Sequence, residues 1–175
     1  MKLFIGYATK EGQSRKIARH IADFAFDTGH SIEISTLHEL SDLDLERFDA
    51  AVLIAPIHAG HYPKPLSEFV SFHSEKLERM DTRFVSVSLA AAGYDAEDWR
   101  GLEQIVDDFS EATGWTPSET KQVAGAYMPS KYDILTGFIM RRIIAKKDPD
   151  ADPSEDKEYT NWVELNAWIN GWLNP

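Results

Sequence analysis

Four short apolar runs, separated by stretches with helical spacing, leave this chain little choice of fold. The runs are 2–7 (KLFIGY), 50–55 (AAVLIA), 84–89 (FVSVSL) and 122–127 (QVAGAY). Each has strand length, is rich in Val, Ile or aromatics, and is bounded by turn residues. Near-continuous apolar runs suit strands buried on both faces, as in a parallel sheet. A fifth segment, 31–36 (SIEIST), alternates and reads as a half-exposed strand. Between them, apolar groups recur at helical spacing. Ile17, Ile21, Phe24 and Ala25 form one stripe, with Gly29 as its stop. Leu66, Phe69, Val70, His73 and Leu77 form a second, with Pro65 near its first turn. Leu102, Ile105, Val106, Phe109 and Ala112 form a third, ending near Gly114. Trp162, Leu165, Trp168, Ile169 and Trp172 form the last, with Thr160 as the expected N-cap. Strand–helix alternation with short loops means an α/β sandwich with helices on both faces.

One segment breaks the alternation. About thirty residues separate Tyr127 from Tyr159, where a strand-to-helix loop normally takes about 2–6. A helix is expected over 132–147, with apolar Leu135, Phe138, Ile139, Ile143 and Ala145 and a basic end of Arg141, Arg142, Lys146 and Lys147. The tract 148–158 follows, with six acids against Lys157 alone; Pro149 and Pro153 make it read as irregular and mobile. With 175 residues and no internal repeat, the chain reads as one domain, 1–175, with an insert at about 128–158.

Composition removes several function classes. Twenty-nine acids against 18 bases give a net charge of -11, which argues against a nucleic-acid partner. The chain has no cysteine, so thiolate nucleophiles, iron–sulfur clusters and Cys-based zinc sites are excluded. No run approaches the roughly 18 apolar residues of a membrane span, and the N-terminus lacks the h-region of a signal peptide. A cytoplasmic protein is the expectation, with peripheral contact at the inner face of the cell membrane left open.

In an open α/β sheet, ligands sit beyond the carboxyl ends of the strands. After the first strand come Thr9, Lys10, Glu11, Gly12, Gln13 and Ser14, leading directly into a helix. Two hydroxyls, a flexible glycine and a helix N-terminus make an anion site; a plain capped turn is the rival reading. The segment matches neither a dinucleotide fingerprint nor a Walker loop. After the third strand come His58, Ala59, Gly60, His61 and Tyr62, a set that can stack on a flat ligand. The His58/His61 pair has no third ligand nearby in sequence, so no metal site is expected. After the fourth strand, Leu89, Ala90, Ala91, Ala92 and Gly93 precede Tyr94, and small side chains there admit a ring close to the backbone.

Taken jointly, these loops resemble the flavodoxin superfamily, whose phosphate loop has the form T-x-x-G-x-[ST], met here at 9–14 (TKEGQS). The likeness is nearest to the branch of menaquinone-dependent protoporphyrinogen oxidases. It rests on 9–18 (TKEGQSRKIA), 60–62 (GHY), 68–70 (EFV), 86–89 (SVSL), 124–127 (AGAY), the basic helical insert and 159–162 (YTNW). It implies a flavodoxin-like three-layer sandwich with a five-stranded parallel sheet of order 2-1-3-4-5, and FMN as cofactor. Thr9 to Ser14 would hold the phosphate. His58, Ala59, Gly60 and His61 would border one side of the ring, and Leu89 to Gly93 the other. His61 or Tyr62 would relay a proton. Quinone and porphyrinogen would be the partners. The second loop departs from that branch, which has Arg-Tyr where this chain has His58-Ala59, and the third loop is more acidic, with Asp95, Glu97 and Asp98.

The insert has two physical readings. Its basic helix lies on a membrane surface or faces a quinone, or it docks on the protein's own sheet edge with its cations answered by the acidic tract. Residues 131–147 carry five positive charges and one negative, and 148–158 one positive and six negative. Two rivals to the enzyme remain. One is an FMN electron carrier without its own substrate, docking a basic redox protein through its acidic surface. The other is a flavin-less binding module of the same fold.

Overall fold

The computed structural model describes residues 1–40 and 42–174. Five strands form one parallel sheet in the order β2-β1-β3-β4-β5. They are β1 (Lys2–Tyr7), β2 (Ser31–Thr36), β3 (Ala50–Pro56), β4 (Asp81–Ser88) and β5 (Glu119–Ala124). The expected order and layering are therefore present. The central strand β3 is buried at all seven positions, whereas β2, at the edge, is buried at none.

Alternation along each strand divides the core in two. Leu3, Ile5, Val52, Ile54, Val85 and Val87 point to one face. There they meet Ile17, Ala18 and Ile21 of α1 (Gln13–Asp27) and Leu165, Ile169 and Trp172 of α5 (Trp162–Leu173). Phe4, Ala51, Leu53 and Phe84 point to the other face and pack against Leu66, Phe69 and Val70 of α2 (Lys64–Leu77). Val106 and Phe109 of α3 (Ala96–Thr113) close that layer around the fully buried Trp115. Each large side chain removed from water here contributes about 1.5–3 kcal/mol.

Several boundaries differ from the sequence expectation. β4 starts at Asp81 rather than at residue 84, because polar residues pair in the ladder where the strand leaves the core. The run 122–127 is not one strand. β5 ends at Ala124, the chain turns at Gly125, and Ala126–Tyr127 forms β6 in a separate small sheet. The cause is packing: Gly125 sits where a Cβ would lie 3.2 Å from Val87, and its N–H donates to Ser88 O at 3.0 Å. Thr160 does not cap α5. The Asn161 side chain does, accepting from Glu164 N, while the Thr160 hydroxyl donates to Ala124 O at 2.7 Å.

The insert is more ordered than its composition suggests. Helix α4 (Ile134–Lys147) begins two residues later than expected, capped by Asp133. The acidic tract is not wholly irregular, since Lys157–Glu158 forms β7 and pairs antiparallel with β6. Tyr127 is fully buried and donates its hydroxyl to Pro153 O at 2.8 Å, pinning the tract to the body.

Candidate functional site

The carboxyl ends of β1, β3, β4 and β5 open into one cleft of about 1010 Å³. That is at the upper end for a small-molecule site. Thr9, Lys10, Glu11, Gln13 and Ser14 line one end, His58, Ala59 and Gly60 a side, and Leu89, Ala90, Ala92 and Gly93 the opposite side. The residues picked out from sequence are thus gathered at one place or, like Gly12 and Ala91, lie within the same loops. His61 and Tyr62 are the exceptions and do not line it.

The first loop is shaped for an anion. Gly12 has φ +104°, a conformation open to glycine, and its N–H donates to Thr9 Oγ1 at 3.0 Å. Helix α1 then starts with no side-chain cap and no acid in its first turn. By contrast α3 is capped by Asp95 and carries Glu97 and Asp98 there. The first-turn N–H groups of α1 therefore have no side chain answering them, and the helix dipole favours a negative group. Ser14 is 1% exposed, and its hydroxyl has no hydrogen-bond partner among the described residues. An orphaned buried hydroxyl beside an uncapped helix start fits the phosphate of FMN.

The second loop is a tight hairpin. His58 N–H donates to His61 O at 2.9 Å and His61 N–H to His58 O at 3.0 Å. Ala59 (φ +48°) and Gly60 (φ +79°) both occupy the left-handed region, as a type I′ turn demands. Ala59 is the one non-glycine residue with positive φ among those described, and its strain costs about 1–2 kcal/mol. The hairpin turns His61 back onto its own turn, with Nδ1 2.8 Å from Ala59 O. Tyr62 is drawn inward, its ring against Phe84 and Phe109 and its hydroxyl donating to Ser86 Oγ at 2.8 Å. Burial pushes its phenol up to about 12. His61 and Tyr62, the proton-relay candidates of the sequence, thus lie outside the cleft lining, one held by the turn and the other by the core.

His58 is the imidazole that lines the cleft. Its Nε2 lies 3.4 Å from Glu11 Oε2, an ion-pair distance without hydrogen-bond alignment, and it has no other polar partner among the described residues. Burial pushes the Glu11 carboxyl up. The contact with His58 and the loop backbone outweigh it and hold Glu11 below its ordinary value.

The largest difference from expectation is the other wall. Tyr132, Thr136, Met140, Ile143, Ile144 and Lys147 from the insert line the cleft. Lys131 Nζ donates to Glu11 O at 2.5 Å at one rim; Lys147 Nζ pairs with Asp98 at 2.5 Å and reaches Ala90 O at 3.4 Å at the other. Of the helix's cations only Lys147 has an ion-pair partner among the described residues, and it is Asp98 at the cleft rim; the acidic tract pairs within itself, Lys157 with Asp148. Sequence reasoning named Ile143 and Lys147 on the insert helix but did not place them at the cleft, and it singled out none of Tyr132, Thr136, Met140 or Ile144. The signals that marked the insert were its excess length, its apolar spacing and its charge reversal, none of which points to the cleft.

A sequence profile of the flavodoxin domain matches residues 4–154. The chain is 27% identical to protoporphyrinogen IX dehydrogenase [quinone] of Escherichia coli (strain K12), over 94% of this chain and 91% of that protein. It is 23% identical to the protein of the same name from Leishmania major, over 97% and 73%. Among solved structures, oxidised flavodoxin 2 from Bacillus cereus superposes with a TM-score of 0.53 at 14% identity, covering 99% of this chain and 95% of that one. Oxidised flavodoxin 1 from the same organism gives 0.51 at 16% identity, over 87% and 100%. This chain belongs to the flavodoxin domain family, near the protoporphyrinogen IX dehydrogenase branch, and its cofactor is FMN.

Proposed function

We propose that this protein is an FMN-dependent oxidoreductase of haem synthesis that dehydrogenates protoporphyrinogen IX and passes the electrons to a quinone. The observation that carries this reading is the insert wall. Met140, Ile143 and Ile144 join Leu102 and Ile105 in giving the cleft an apolar half beyond the three flavodoxin loops. A carrier that only exchanges electrons at a ring edge has no use for such a compartment, whereas a large apolar substrate does. The likeness to proteins of that name, over 94% and 97% of this chain, supports it.

FMN, when bound, supplies storage for two electrons and two protons. Thr9, Lys10, Glu11, Gly12, Gln13 and Ser14 hold its phosphate. His58, Ala59 and Gly60 border one side of the ring, and Leu89 to Gly93 the other. His58, placed by Glu11, is the group able to move a proton at Nε2 within the cleft. The whole chain, 1–175, works as one domain, with 128–158 as its substrate-side insert. It is a cytoplasmic protein in peripheral contact with the inner face of the cell membrane through residues 132–147, where Ile134, Leu135 and Phe138 are 95%, 71% and 62% exposed. The reconstituted protein, given protoporphyrinogen IX and a quinone, oxidises the substrate faster than free FMN does. No excess over that control would overturn the assignment.

A second reading has its own observation. Glu97, Glu103, Asp107, Asp108 and Glu111 make an exposed acidic face on α3. Such a face suits an electron carrier docking a basic redox protein. Strongly salt-dependent exchange with a reductase and no quinone activity would favour it.

A further inference from the structure

On the outer side of the phosphate loop lies a groove of about 630 Å³ that includes Gly12, Arg15, Lys16 and Lys131. Two cations converge there on one glycine. A Cβ placed on Gly12 would lie 3.5 Å from Lys131 Nζ and 4.0 Å from Arg15 Nη2. Lys131, which comes from the insert, is fixed over the loop by its bond to Glu11 O. Neither Arg15 nor Lys131 joins an ion pair among the described residues, whereas neighbouring Lys16 is neutralised by Glu158 at 2.5 Å. Of the nearby acids, Glu11 turns to His58, Asp156 accepts from the Ser130 N–H and hydroxyl while its charge is felt by Lys131, and Asp23 lines the groove without forming an ion pair among the described residues. Two positive charges without an ion-pair partner among the described residues thus sit at Gly12, the uncapped start of the helix whose second residue is the orphaned Ser14.

We infer that Arg15 and Lys131 form a cationic half of the phosphate grip, so that the insert makes this protein discriminate phosphorylated from unphosphorylated flavin. The inference rests on the placement of the FMN phosphate at residues 9–14 proposed above. The charges act through space on the bound dianion, and their effect is greatest at low ionic strength.

The test is the ratio of FMN to riboflavin affinity, read by flavin fluorescence quenching in the full chain. Lys131→Met and Arg15→Gln each weaken FMN about three- to five-fold at low salt and leave riboflavin unchanged. Lys131→Arg restores the ratio, and added salt shrinks it in the wild type. Arg15 makes no side-chain hydrogen bond among the described residues, so its variant folds even where loss of Lys131 loosens the insert. An unchanged ratio in both variants would overturn the inference. Equal weakening of both flavins would also overturn it, reducing Lys131 to a strut. A wild type that binds riboflavin as tightly as FMN removes the phosphate placement itself, and the inference falls with it.

Discussion

Among single residues, two hydroxyls that look alike in sequence do different work. Thr9 Oγ1 is already engaged, accepting from Gly12 N, whereas Ser14 Oγ is buried with no partner among the described residues. Replacing each therefore has a different signature. Thr9→Ala lowers the stability of the flavin-free protein by about 1 kcal/mol by leaving a loop N–H unanswered. Ser14→Ala leaves that stability unchanged or raises it, because no bond is lost, yet it weakens FMN about ten-fold. Thermal unfolding of the flavin-free proteins and flavin titration separate the two. Ala59 gives a third case. Ala59→Gly relieves the left-handed backbone and stabilises the protein by about 0.5–1 kcal/mol, measured by urea unfolding. A destabilised variant would show that Ala59 is not strained. The T-x-x-G-x-S spacing was legible because its chemistry is local. That His58 rather than His61 or Tyr62 lines the cleft was not, because it depends on which way a hairpin turns three nearby side chains.

Among the elements, helix α4 is the anomaly. Its protein-facing stripe is narrow, with Ile144 as its one buried residue, while Ile134, Leu135, Phe138 and Ile139 face solvent beside Arg141, Arg142 and Lys146. An apolar face of that size flanked by cations fits an anionic bilayer. The double variant Leu135→Glu, Phe138→Glu loses co-sedimentation with anionic vesicles while keeping its melting temperature; unaltered sedimentation would exclude α4 as the contact. The helix itself was readable from apolar spacing, though not its start at the Asp133 cap. Which face it would hide was not, since both faces carry apolar residues and the choice depends on where the cleft lies. The split of 122–127 was likewise hidden. The glycine inside the run is a general sign of a bulge or close backbone approach, but nothing local says that its neighbour is Val87.

Across the molecule, the insert is held by ionised carboxylates. Asp133, Asp148, Asp156 and Glu158 all lie below their ordinary values. Asp148 is lowered by Lys157 and Tyr159, Asp133 by Thr136, and Asp156 by Ser130. For Glu158, burial pushes up but Lys16, Gln13 and Trp162 prevail. A carboxyl that binds its proton more weakly when folded stabilises the fold above its unfolded pKa. That contribution is lost as pH falls through about 4 and below. The parallel core rests on apolar burial and does not share this dependence. Acidification therefore opens the insert first, seen as faster exchange of the Tyr127 and Lys157 amides while those of β3 stay protected. Asp148→Asn shifts the onset to higher pH. Simultaneous exposure of both regions would show that insert and core unfold as one.

Apolar periodicity and turn chemistry act over a few residues, so the layer architecture and the glycine turn leading into α1 could be read from the chain alone. The insert was marked in the same way, through its excess length and the charge reversal between 131–147 and 148–158. Where the insert sits is settled by packing across the fold. Lys131 meets Glu11 across 120 positions, and Lys147 meets Asp98 across 49. Contacts so distant in the chain leave no periodic trace. They exist because the sheet brings the carboxyl ends of four strands together and leaves a cleft that the insert can wall.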